Sequence, residues 1–268
     1  MKNIAGFTLI EVLIAMTISL VIMGGAYTVF NSQQQQTVVQ TNVSDTQQTL
    51  RAVMDYVSRD LRMAGYDPEI SSSFGISDIK FRAINDSLSV NGNSFIRFSA
   101  DKDSDGVIGN EETMDYSLVN SATITPGVWD LYLRNPNVAA PSRDVLGSNI
   151  VALGLAYAID ADSDGELDTD AAGGIAWFVD AGNDDDWDSL TVNPGAGTST
   201  TVDTGITVVH KDIRAVRIWM LGQSQAPDPK YTDNKTYVVG PHVVNPNNSF
   251  RHRMLERTVL CRNMGLNL

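Results

Sequence analysis

The chain has 268 residues, 43% of them hydrophobic, enough apolar material for one sizeable core or two small ones, which excludes wholesale disorder. A formal charge of −13, from 19 basic and 32 acidic side chains, excludes a general nucleic-acid coat, because phosphate binding needs a dominant basic surface. A single cysteine, Cys261, excludes an intrachain disulfide framework, a cysteine-rich zinc site and a CxxC redox pair. The acid is localised: residues 101–188 hold 19 acidic and 3 basic side chains, a net of −16, and the remaining 16 basic and 13 acidic residues sum to +3.

Between Lys2 and Asp45 the only side-chain charge is Glu11, and Phe7 to Phe30 is an almost uninterrupted apolar run of 24 residues. At roughly 1.5 Å per helical residue this run covers about 36 Å, enough to span a bilayer. A carboxylate in such a helix costs about 2.5–3.5 kcal/mol near the membrane centre, so it has a partner or a function. A secretory signal cleaved after Ala26 accommodates Lys2, Gly24 and Ala26 but not an acid in its apolar region. A plain signal anchor explains the length and not the acid.

Gly6-Phe7-Thr8-Leu9-Ile10-Glu11, after a short leader and before an apolar helix, resembles the prepilin signature of type IV pilins and type II secretion pseudopilins. The resemblance implies that a prepilin peptidase cuts between Gly6 and Phe7 and methylates the new amino-terminal Phe7, with the helix retained. It also implies that Glu11 pairs with the terminal ammonium of a neighbouring subunit. The physics agrees, since an acid that is costly in lipid is neutralised against a buried ammonium and then sets subunit register.

After Phe30 and the glutamine run at 33–36, apolar or small residues recur at spacings of three or four: Val39, Val43, Thr46, Leu50, Val53, Val57, Leu61 and Ala64. One helical stripe therefore faces a core. Gly65 and Pro68 mark the end of the helix. The reading is one helix from Phe7 to Ala64, with Gly24-Gly25 as a possible bend; the alternative is two helices joined at the glutamine run. Beyond Ser71 strand signals take over. Ser87–Ser99 reads as a hairpin turning at Asn91-Gly92, and 129–134, 149–159, 175–179, 212–221 and 255–261 read as strands. Residues 194–204 and 223–230 read as loops.

Arg59-Asp60-Leu61-Arg62-Met63-Ala64-Gly65-Tyr66, together with Arg251-His252-Arg253 and Arg257-Thr258-Val259-Leu260-Cys261-Arg262-Asn263, resembles the PilW family of minor pilins; Asp212–Ile218 resembles that family's penultimate strand more loosely. The resemblance implies an α+β pilin-like fold, a long amino-terminal helix packed on a predominantly antiparallel head. It divides the chain into a leader at 1–6, a membrane and filament-core helix at 7–30, an amphipathic continuation at 31–67 and a β-rich head at 71–268, with an acidic insertion at 101–188. The implied protein is a minor pilin at the initiation or tip complex of a type IV pilus. Its partners would be other minor pilins, the major pilin and the prepilin peptidase. It would lie in the inner membrane with its head in the periplasm, then outside the cell in the assembled pilus. The alternatives are a J-type pseudopilin of a type II secretion system and a membrane-tethered, calcium-dependent adhesin.

Residues 101–112 match the twelve-residue calcium loop. Asp101, Asp103 and Asp105 stand at positions 1, 3 and 5, Gly106 at the bend, the Val107 carbonyl at 7 and Glu112 at 12, the alternating oxygens that wrap one hard cation. Flanking strands make it a calcium loop and not an EF-hand. Asp160, Asp162, Asp164 and Gly165 repeat its first half; position 12 is Ala171, so Asp168, or the run from Asp180 to Asp188, is expected to complete the shell. His210, His242 and His252 lack paired metal spacing. Gly222-Gln223-Ser224-Gln225-Ala226 lacks the strand-to-helix context of a nucleophile elbow. No phosphate-binding glycine loop is present. The expectation is a structural protein that takes calcium and no small-molecule substrate.

Overall fold

A computed structural model describes residues 8–71, 73–80, 94–109, 111–120, 129–136 and 143–264. The chain divides into two compact units, Met1–Ser44 and Asp45–Leu268. Helix α1, Leu9–Met63, is continuous, so neither Gly24-Gly25 nor the glutamine run breaks it.

In the first unit every described side chain up to Val38 is exposed, and α1 is long and apolar enough to cross a membrane. Its hydroxyls do not offset that character. Thr17 Oγ1 donates to Leu13 O at 2.7 Å, Ser19 Oγ to Ala15 O at 2.7 Å and Thr28 Oγ1 to Gly25 O at 2.7 Å, so these three hydroxyls are satisfied within the helix, as a lipid environment demands.

In the second unit the predicted stripe is buried: Thr46, Leu50, Val53, Val57 and Leu61, joined by Met54 and Ser58. Gly65 ends the helix in the left-handed region at φ +75°, where a side chain would be strained, and a Cβ there would meet Met264 Sδ at 2.9 Å. Two motifs distant in sequence meet at this end. Arg257 pairs with Asp55, Asn263 Nδ2 donates to Arg62 O at 3.0 Å, and Tyr116 Oη donates to Asp60 Oδ2 at 2.6 Å.

Five strands form an antiparallel meander in chain order: β1 Ile76–Lys80, β2 Phe95–Ser99, β3 Thr113–Asn120, β4 Trp129–Arg134 and β5 Arg143–Gly147. A second antiparallel sheet is built from β6 Ile150–Ile159, β7 Phe178–Val179, β8 Asp186–Asn193, β9 Thr198–Thr207 and β10 Ile213–Gln223. It closes with the last strand of the chain, His252–Leu260, and has the order last strand, β10, β6, β7, β8, β9. Two short strands, β11 Tyr237–Val239 and β12 His242–Val244, pair with each other; the last strand is therefore β13. The helix stripe, Phe98, Tyr116 and Leu131 of the meander, and Leu153, Leu155, Tyr157, Val216 and Ile218 of the second sheet share one core. Ala152, Ala156, Trp219 and Leu221 alternate to the other face and pack with Val239. Strands β6 and β10 are thus buried on both faces.

Three sequence expectations change. Residues 194–204, read as a loop for their Gly and Thr content, turn only at 194–197 and then enter β9, an exposed strand paired with β8 over its length. The strand expected at 175–179 shortens to Phe178–Val179, with Ile175 in an isolated bridge to Thr169. The second arm of the hairpin expected at 87–99 becomes β2, which pairs with β1, and its Asn91-Gly92 turn lies outside the described residues.

Candidate functional site

Gly6 and Phe7 lie outside the described residues, but the start of α1 is defined at Glu11. Thr8 N and Thr8 Oγ1 donate to Glu11 Oε2 at 2.9 and 2.8 Å, and Glu11 N donates back to Thr8 Oγ1 at 3.4 Å. This reciprocal arrangement is a capping box, which satisfies free amides of the first turn. The Thr-x-x-Glu spacing that signals it stands in the sequence and was missed in the reading of Glu11 as a membrane acid. Glu11 therefore has a local partner for Oε2 in Thr8.

The first acidic loop joins β2 to β3 and brings carboxylate oxygens of Asp101, Asp103, Asp105 and Glu112 within 4.8 Å of one another. Two are buried and two exposed. Ser104 N and Gly106 N donate to the two oxygens of Asp101 at 2.6 and 3.2 Å. Lys102 N and Gly109 N donate to the two oxygens of Glu112, both at 2.6 Å. Burial pushes the Glu112 carboxyl up, yet these amides outweigh it and hold the group below its usual range. Asp103 is pushed up, by loss of solvent and then by the charges of Asp105 and Glu112. Val107 occupies position 7 and donates its N–H to Asp105 Oδ1 at 2.8 Å. The loop is stitched to the end of α1, because Asp101 N donates to Tyr66 O at 2.8 Å and Gly65 N to Ser99 O at 3.0 Å.

The second loop follows β6 and brings Asp160, Asp162 and Asp164 together within the same 4.8 Å. Asp168 stands outside that trio; its Oδ2 accepts from Ala161 N at 3.3 Å. Both loops share a backbone form. Ser104 and Gly106 have φ of 63° and 69°, and Ser163 and Gly165 have 60° and 87°. Residues 180–188 repeat the form at Asn183 and Asp185, with φ of 52° and 65°, and Ala181 N donates to Asp188 Oδ2 at 2.7 Å as Ala161 does to Asp168. That run closes on itself, with Asp184 N donating to Asp180 Oδ1, and among the described residues it forms no convergent trio. Glycine at 182 in place of the second acid and Asp185 in place of the bend glycine hide this likeness in the sequence.

Two further polar clusters among the described residues are held by contacts within the fold. His252 Nδ1 meets Asp233 Oδ2 at 2.9 Å in a fully buried pair that also accepts from Tyr237 Oη at 2.9 Å. Ser224 Oγ donates to Ala226 O and accepts from Arg251 N, which leaves no activated nucleophile at that hydroxyl.

A capped, exposed apolar helix that continues as the spine of an antiparallel head is the architecture of a type IV pilin. Residues 1–27 match the prokaryotic N-terminal methylation motif, 39–130 the prepilin peptidase-dependent protein B model and 115–263 the type IV pilus-assembly protein W model. The chain belongs to the type IV pilus-assembly protein W family, and it is a minor pilin of a type IV pilus. The pseudopilin and adhesin alternatives are not favoured. Membership carries a membrane-anchored stage before pilus assembly, and contact with other pilins and with a prepilin peptidase. The chain is also similar to a type IV-like pilin from Thermus thermophilus, at 12% identity and a TM-score of 0.39, over 81% of this chain and 97% of that one. No curated protein matches it. The acidic clusters have the donor chemistry to hold a metal ion.

Proposed function

We propose that this minor pilin is cut between Gly6 and Phe7, methylated on Phe7, and built into the initiation or tip complex of the pilus alongside other minor pilins and the major pilin. In this reading residues 1–6 are the leader, 7–30 the membrane and filament-core segment, 31–67 its amphipathic continuation and 71–268 the head. The head lies in the periplasm before assembly and outside the cell afterwards. The observation that carries the reading is the occurrence, in one chain, of the methylation motif at 1–27 and the pilus-assembly family match at 115–263. Glu11 serves the neighbouring subunit: Oε2 is spent on Thr8, and the carboxylate's remaining capacity meets the terminal ammonium of the adjacent copy. The ion held by the first loop is calcium, because carboxylates at alternating positions with a glycine bend suit a large, hard cation.

The test is mass spectrometry of sheared filaments and membranes. The subunit should begin at methylated Phe7, and Glu11→Ala should stay in the membrane but be depleted from filaments. An amino terminus at Tyr27, or equal recovery of mutant and wild type in filaments, overturns the reading.

A further inference from the structure

The geometry points to a second calcium ion, bound at residues 160–164 independently of the first loop, that fastens the end of β6 to the start of β10. The evidence is one side chain. Asp160, immediately after β6, is 2% exposed. Its Oδ2 accepts from Arg214 Nη2 at 3.3 Å, whereas Oδ1 is buried without a hydrogen-bond partner among the described residues. A buried carboxylate oxygen with no donor is costly and calls for an explanation such as strain or a bound ion.

The neighbours decide between those explanations. Asp162 and Asp164 bring oxygens within 4.8 Å of one from Asp160, and ionised carboxylates cannot donate to it. The nearby base is already committed: Arg214 Nη1 donates to Lys211 O at 2.6 Å while Nη2 serves Asp160. Water would supply a donor to Oδ1 but no charge to offset three carboxylates at this separation. A cation supplies both. The trio is all oxygen, two of its members are exposed and leave room for water ligands, and the spacing is that of a loop wrapped on calcium. Magnesium, with its short octahedral shell and reluctance to dehydrate, fits a one-loop carboxylate trio less well.

The position of Asp160 gives the ion its structural effect. Asp160 N donates to Asp212 O at 2.9 Å and Arg214 lies one residue inside β10, so the paired strands β6 and β10 already meet at this residue. Calcium on Oδ1 leaves the Arg214 contact on Oδ2 intact and adds the 160–164 loop to the same corner. The first loop differs, since its buried acids, Asp101 and Glu112, have both oxygens supplied by backbone amides.

Full-length protein in detergent, stripped with chelator and titrated with calcium alone, should show two bound ions by native mass spectrometry. Asp162→Asn changes an exposed side chain and spares Asp160, so the fold is retained. It should lose one ion or bind it at least about tenfold more weakly, whereas Asp103→Asn should keep that ion and lose the other. If Asp103→Asn matches wild type while Asp162→Asn loses an ion, the first-loop assignment fails and this one stands. If Asp162→Asn binds calcium as wild type does, or if magnesium fills the site with equal affinity, the second calcium site is overturned.

Discussion

Glu11 and Asp160 show how far a single residue type can be read from sequence. The isolation of Glu11 in an apolar run announced that it has a partner, and its first partner is Thr8, three residues away. Asp160 was legible as the first position of a loop, but its contact with Arg214 was not, because that contact exists only once β6 and β10 pair. Gly154 is a stricter case. It sits in the middle of β6, where an ideal Cβ would lie 2.1 Å from Val239 O and 2.7 Å from Val239 C. Backbone cannot yield as a flexible side-chain tip can, so Gly154→Ala should cost about 3 kcal/mol or more. Gly195→Ala, where the nearest atom is Asn193 Oδ1 at 3.6 Å, should be close to neutral. Thermal melts of the two variants check this, and equal melting temperatures would refute the close approach of Val239 to β6.

Among elements, the ones easiest to read are those whose burial is uniform. The second half of α1 shows a clean stripe because one face meets both sheets, and β6 and β10 read as apolar runs because both faces are covered. Strand β9 was illegible for the opposite reason, as nearly all its side chains are exposed and its ladder rests on backbone hydrogen bonds that Thr and Gly make as well as Val. The three-residue strands β11 and β12 are too short for any period to register. Their burial nonetheless has a measurable consequence at His242 in β12, whose pKa burial lowers from 6.5 to about 4. Ser94 Oγ accepts from Leu155 N and lies 3.3 Å from His242 Nε2, and loss of solvent favours the neutral ring. Below about pH 6.5 the unfolded chain takes up a proton that the folded chain refuses until about pH 4. Stability is therefore complete above the first value and lost towards the second, at about 1.4 kcal/mol per pH unit. The melting temperature should fall between about pH 7 and about pH 5, and His242→Gln should flatten the slope; an unchanged slope would assign the acid sensitivity elsewhere.

At the scale of the whole molecule, an acidic segment net −16 in a chain of net −13 is sustained by distributing its charge over three loops of one backbone form. Calcium binding only to the folded chain adds about 0.4–1.4 kcal/mol at one to ten times the dissociation constant. The protein should melt higher in millimolar calcium than in chelator at matched ionic strength. Glu112→Gln should remove the part owed to the first loop, and Asp170→Ala, whose carboxylate serves its own turn, should remove none. Coincident curves would leave the acid as a solvated surface. The hydrogen bonds from Gly65 and Asp101 to Ser99 and Tyr66 give this loop a mechanical meaning. Tension drawn along α1 is shared first by its buried stripe from Thr46 to Leu61, and at Gly65 the covalent chain is doubled by two amide links, to β2 and to the first acidic residue. If the loop holds calcium, the ion braces this parallel link, and the force needed to unseat the end of α1 in single-molecule pulling should be higher in calcium than in chelator.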